Sequence, residues 1–144
     1  MNASDPHFAS RVRESFGRQR AMALIGASLT KVEPGEAEIA LPYREDLTQQ
    51  KGFIHGGILG MIADTACGYA AFSLMPAGGS LVTVEYKMNI LKPGRGSLIA
   101  KAKVIRPGRT LTVARGEVYA DDGSHVATML QTLMALPGRP DTPE

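Results

Sequence analysis

Between Gly56 and Val84 the chain carries one charged side chain, Asp64, in a run that is otherwise apolar or small. A segment apolar nearly all the way round is stable only when other elements cover most of its surface. Its length and its small residues suit a helix from about Gly57 to about Met75, and Pro76-Ala77-Gly78-Gly79 supplies the stop. The remainder of the chain must furnish the cover.

After that stop the chain reads as strand upon strand. "LVTVEYKMNIL" alternates, with Val82, Val84, Tyr86, Met88 and Ile90 on one face and Thr83, Glu85, Lys87 and Asn89 on the other. "SLIAKAKVIR", "RTLTVARGEVYA" and "HVATMLQTLMAL" come next, set apart by Lys92-Pro93-Gly94, Pro107-Gly108 and Asp121-Asp122-Gly123, all with turn chemistry. Ahead of the helix, residues 21–43 read as two strands around Glu33-Pro34-Gly35, the second alternating through Ala37, Ile39 and Leu41. Residues 7–20 place Phe8, Val12, Ser15 and Phe16 at helical spacing, which predicts a short amphipathic helix acting as a lid or packing element. The fold class is α+β: a long central helix wrapped by a curved antiparallel sheet, with a short N-terminal helix. The expected organisation is a helical segment over 1–20, one domain over 21–137 and a flexible tail over 138–144.

A chain of 144 residues suits a single core, and 44% hydrophobic with 21% charged residues is ordinary for a globular protein. A formal net charge of +2 gives no sign of a nucleic-acid partner. The one cysteine, Cys67, allows no internal disulfide and lacks the companions of a zinc site, so no metal is expected and a reducing, cytoplasmic setting is. No secretory pattern follows Met1. Residues 53–75 approach the length of a membrane span, but Gly56, Gly57, Gly60, Asp64 and Gly68 argue against one.

Asp64 then needs a reason, because an unpaired carboxylate in apolar surroundings is costly. Helical spacing aligns it with Gly56, Gly57, Gly60, Gly68 and Ala71, a stripe small enough to admit a ligand or another backbone, while Ile58, Leu59, Ile62, Tyr69 and Phe72 can serve the core. One explanation is close helix–strand packing with Asp64 satisfied by nearby donors. The other begins at His55-Gly56-Gly57, where the helix starts. Free N–H groups at such an end attract negative charge, including the oxyanion that forms on an attacked carbonyl. Gln49 and Gln50 lead into it, and the acid stands nine residues after the histidine. Eight residues separate Gly56 from Asp64, roughly 12 Å along a helix at 1.5 Å per residue, too far for one carbonyl group to touch both. If both act on one substrate, the acid comes from the antiparallel helix of a second subunit, and a two-fold dimer builds two sites. Cys67 is a poor nucleophile, being one turn from a carboxylate with no base at hand.

"GFIHGGILGMIADTA", preceded by "LTQQ" and followed by "LVTVEYKMNILKPG" and "VIRPGRTLTVARGEVYADDGSHVATMLQTLMAL", resembles the hotdog-fold acyl-CoA thioesterases of the phenylacetic-acid-degradation (PaaI-like) type over about residues 20 to 136. The resemblance implies a hotdog fold, dimers with a continuous sheet that often pair into tetramers, and hydrolysis of an acyl-CoA thioester without a cofactor, coenzyme A being part of the substrate. It also implies that Asp64 is the catalytic carboxylate, as nucleophile or as general base for water. The Gly56 N–H would polarise the carbonyl, with Gly57 and His55 supporting the turn. A site amide six residues before the histidine is usual in related enzymes, where Gln49 stands, with Gln50 a close rival. Thr83 falls near the place of a Ser or Thr that helps position the water. Gly68 is expected to border the substrate, and Lys92, Arg95, Arg106 and Arg109 are candidates for the phosphates. A hydratase or dehydratase fits less well, because His7 and His125 lie at the N-terminus and beside a turn. A non-catalytic acyl-CoA-binding module is the alternative from another class.

Overall fold

The computed structural model describes residues 1–144 as α1 (Phe8–Gly17), α2 (Arg20–Ile25), β1 (Ser28–Glu33), β2 (Glu36–Leu41), α3 (Gly56–Phe72), β3 (Ser80–Ile90), β4 (Leu98–Arg106), β5 (Leu111–Ala120) and β6 (His125–Leu136). The strands form one antiparallel sheet in the order β1-β2-β4-β5-β6-β3. Helix α3 packs against all six of them, so the sheet wraps it as the apolar run requires.

Why the wrap is tight can be read from side-chain size. The faces of β4 and β5 turned to the helix carry Ala100, Ala102, Ala114 and Gly116, and α3 answers with Ala63, Ala66, Cys67 and Ala70, all buried. A Cβ on Gly116 would lie only 3.0 Å from Cys67 Sγ and 3.4 Å from Ala63 O. Small residues therefore line the core side of α3 as well as the Gly56-Gly60-Asp64-Gly68 stripe. The larger Leu59, Ile62, Tyr69 and Phe72 are buried as expected.

Both ends of α3 are secured. At the start, Ile54 N–H donates to Gly94 O (2.8 Å) and His55 N–H to Leu47 O (2.9 Å), which pins the turn. At the finish, Arg11 of α1 donates to the carbonyls of Phe72, the last residue of α3, and of Met75 and Pro76 just beyond it. The N-terminal helix is thus a packing element. Beyond β6, Asp141 accepts hydrogen bonds from Ser15 and Arg18.

Two expectations are corrected. Residues 21–25, read as the start of a strand, belong to α2 (Arg20–Ile25), because Met22 and Ile25 are three apart and bury a helical face, and Gly26 at φ +76° closes the turn. The strict alternation of β3 also fails. Thr83 pairs with Leu133 but Glu85 with Thr132, so Val84 is an extra residue in a β-bulge. Cross-strand partners share a face, which puts Thr83 with Tyr86, Met88 and Ile90 on the helix side rather than with Glu85 and Lys87.

Candidate active site

Thr83 reaches Asp64 because of that bulge. Its hydroxyl donates to Asp64 Oδ1 at 2.9 Å. The same oxygen accepts a second hydrogen bond, at 2.7 Å, from Nε2 of Gln131 on β6, whose other N–H donates to Thr83 Oγ1 at 2.8 Å. The three side chains close a triangle in which every proton has a place: the hydroxyl gives one to the carboxylate and the amide gives one to each. Asp64 Oδ2 receives no donor from the protein. Asp64 is half-buried and lines a cleft of about 150 Å³ with Gln19, Thr65, Gly68, Tyr69, Thr83 and Asp141.

Gln131 did not figure among the sequence candidates, yet it left a trace. In "HVATMLQTLMAL" it occupies the phase of Ala127, Met129 and Leu133, and it is the one polar side chain on that buried face.

The other half of the expected site is built at the helix start. His55 caps α3, its Nδ1 accepting from the Gly57 N–H at 2.8 Å. Gly57 is thereby used up, while the Gly56 N–H has no protein acceptor. Gly56 lines a second cleft, of about 330 Å³, together with Gln49, Phe53, Ile90 and Lys92. The Gln49 oxygen accepts from the backbone of Lys51 and Phe53 and holds the preceding loop. Gln50 is exposed and lines neither cleft.

The candidate cations divide in the same way. Lys92 is in the Gly56 cleft, and the Arg95 guanidinium sits 4.5 Å from the ring centroid of Phe53, which lines it. Arg109 borders a cavity of about 510 Å³ beyond the C-terminus of α3, which shares Leu81 with the Asp64 cleft. Arg106 lines none of these. His125 is engaged with Glu117 at 2.5 Å on the sheet, and the Cys67 thiol is pushed up to about 12, by burial first and by the nearby Asp64 charge second. Burial and the neighbouring carboxylate both disfavour the thiolate, so Cys67 is a poor nucleophile.

One chain accordingly presents the carboxylate and the free N–H in two separate clefts along α3. The stripe between them lies over β3: a Cβ on Gly56 would be 3.0 Å from Ile90 Cδ1, and one on Gly60 would be 3.4 Å from the Tyr86 hydroxyl. Strand β3 is an edge of the sheet, with Val82, Val84, Tyr86 and Ile90 each about half exposed.

Residues 51–127 match the family model described as the thioesterase superfamily. The chain is similar to the crystal structure of a thioesterase family protein from Silicibacter pomeroyi, with 49% identity, 90% of this chain and 98% of that chain covered, and a TM-score of 0.87. It shares its fold with the E. coli PaaI protein from the phenylacetic acid degradation operon, at 23% identity over 92% of this chain and 96% of that chain, with a TM-score of 0.85. A Salmonella typhimurium relative named medium/long-chain acyl-CoA thioesterase is 23% identical over 126 residues, 76% of this chain and 81% of that protein. No helix is long and apolar enough to cross a membrane.

Proposed function

The chain belongs to the thioesterase superfamily and is a thioester hydrolase of the PaaI-like hotdog type, and on that footing we propose that it hydrolyses acyl-CoA or aryl-acyl-CoA thioesters at Asp64. The observation that carries this is the Asp64 carboxylate, with Oδ1 held by Thr83 and Gln131 and Oδ2 unengaged in a cleft. A carboxylate so held can attack the thioester carbonyl directly, expelling the thiolate and leaving a mixed anhydride that water then hydrolyses to the free acid and the restored carboxylate, or it can take a proton from water that attacks the carbonyl. In the second route the water oxygen bonds to the carbonyl carbon, the C–S bond breaks, and the proton taken by Asp64 passes on to the departing thiolate. In either route charge gathers on the carbonyl oxygen, and a free helix-start N–H such as that of Gly56 stabilises it.

The carboxylate and the N–H act together when a second copy joins its β3 edge to this one, bringing Gly56 of the partner opposite Asp64. The half-exposed apolar side chains of β3 favour such a contact, and pairing of dimers into tetramers then uses other surfaces. Lys92 and Arg95, beside the Gly56 cleft, are placed to hold phosphates of coenzyme A, with Arg109 serving the opposite end. The reaction needs no cofactor beyond the coenzyme A of its substrate, and a single free cysteine suits a cytoplasmic setting.

The test is release of free thiol from a panel of acyl-CoAs spanning acetyl to palmitoyl and phenylacetyl. Asp64→Asn is expected to lose roughly a hundredfold or more of the rate, the usual worth of a general base, while melting as the wild type does. No thiol release by the wild type, or full activity in Asp64→Asn, would overturn the reading.

A further inference from the structure

Gln131 has no counterpart among the groups that thioester hydrolysis strictly requires, yet its placement is specific. It is fully buried on β6, the strand next to the β3 edge, and its neighbours on the same face are Met129 and Leu133. A core built for packing alone would carry a Leu or Met there as well. Instead the amide spends both N–H groups on Asp64 Oδ1 and Thr83 Oγ1, while its own Oε1 is buried without any partner.

That orphaned oxygen follows from chemistry. Turning the amide end over would bring Oε1 against an ionised carboxylate and against a hydroxyl whose proton is already committed to Asp64. Only the orientation seen serves Asp64, and it leaves Oε1 with nothing to accept. A buried polar group kept in an incompletely satisfied state marks a residue retained for something other than stability. Gln131 is fully buried and does not line the Asp64 cleft, whereas Asp64 and Thr83 do, so any effect it has on the reaction runs through them.

We propose that Gln131 is a positioning residue, resting on Asp64 being the catalytic carboxylate: it fixes the rotamer of Asp64 through Oδ1 and so dictates that Oδ2 is the oxygen that reacts. It also orients Thr83, because a hydroxyl that accepts from the amide has its proton directed to Asp64. The support comes from β6, which lies one strand in from the edge and is paired on both sides, with β5 and with β3.

Gln131→Met keeps the volume and removes the donors. With an acyl-CoA that the wild type hydrolyses, read by free-thiol release, kcat is expected to fall roughly 10- to 100-fold, the scale of a small misplacement at a reacting centre, with KM within about twofold. The melting temperature should stay at or above the wild-type value, a pattern a merely structural residue would not give. Added to Asp64→Asn, the same substitution should cost nothing more, because its effect runs through the carboxylate. An unchanged kcat, or an equal further loss in the Asp64→Asn background, would overturn the proposal while leaving the thioesterase reading standing. If the wild type releases no thiol, that reading fails by itself. The crystal structure of Gln131→Met then decides about Gln131: a displaced Asp64 carboxylate supports positioning, and an unmoved one refutes it.

Discussion

At Asp64 two neutral donors share one oxygen, and the loss of either should be felt differently. Thr83→Val preserves the β-branched shape but removes the hydroxyl that both donates to Asp64 and accepts from Gln131. A fall in kcat of roughly 10- to 100-fold is expected, again the scale of a misplaced reacting group, with substantial recovery in Thr83→Ser. Steady-state kinetics of the two variants provide the check, and equal activity in Thr83→Val and the wild type would remove Thr83 from the site. Sequence patterning could single out Asp64, since a lone carboxylate in a long apolar run is visible without coordinates. It could also have flagged Gln131, a polar residue in a buried phase. What no pattern supplies is that these two, 67 residues apart, meet at 2.7 Å.

Among the elements, α3 was legible almost to its ends because its apolar length, its His-Gly-Gly start and its Pro-Ala-Gly-Gly stop are local signals. Its closeness to β5 was not, and it leads to a prediction. Gly116→Ala would set a methyl 3.0 Å from Cys67 Sγ and 3.4 Å from the Ala63 carbonyl oxygen, where neither neighbour has room to withdraw. Overpacking of this kind costs about 1–3 kcal/mol, which urea denaturation would report as a lower midpoint at unchanged slope. A midpoint equal to the wild type's would show that β5 moves away freely. The bulge at Val84 escaped the sequence reading because an added residue merely inverts the phase of the strand. Apolar and polar residues alternate on either side of it, so strict alternation and a phase change look alike until β3 is paired with β6. The short apolar "AMALI" was ambiguous in the same way and was settled by burial of Met22 and Ile25.

For the whole molecule the separation of Asp64 from Gly56 allows a decisive mixing experiment. Gly56→Pro removes the free N–H at a position where proline suits a helix start, and Asp64→Asn removes the carboxylate. Each variant alone should be nearly inactive. In a two-fold dimer with sites shared between chains, random re-pairing of equal amounts makes half the molecules hybrids, each with one intact site and one doubly damaged, so roughly a quarter of the wild-type rate should return. A site contained in one chain would recover none.

By itself the sequence determined the covered helix, the antiparallel strands around it, the isolated acid and the glycine-rich helix start, all consequences of local periodicity and of the cost of burying a charge. The tertiary structure decided which side of β3 Thr83 takes, which glutamine holds Asp64, and that the carboxylate and the free N–H open into different clefts. Those outcomes depend on register between strands distant in the chain. Register is fixed by how side chains fill the space between sheet and helix, a property of the packed whole that no single segment contains.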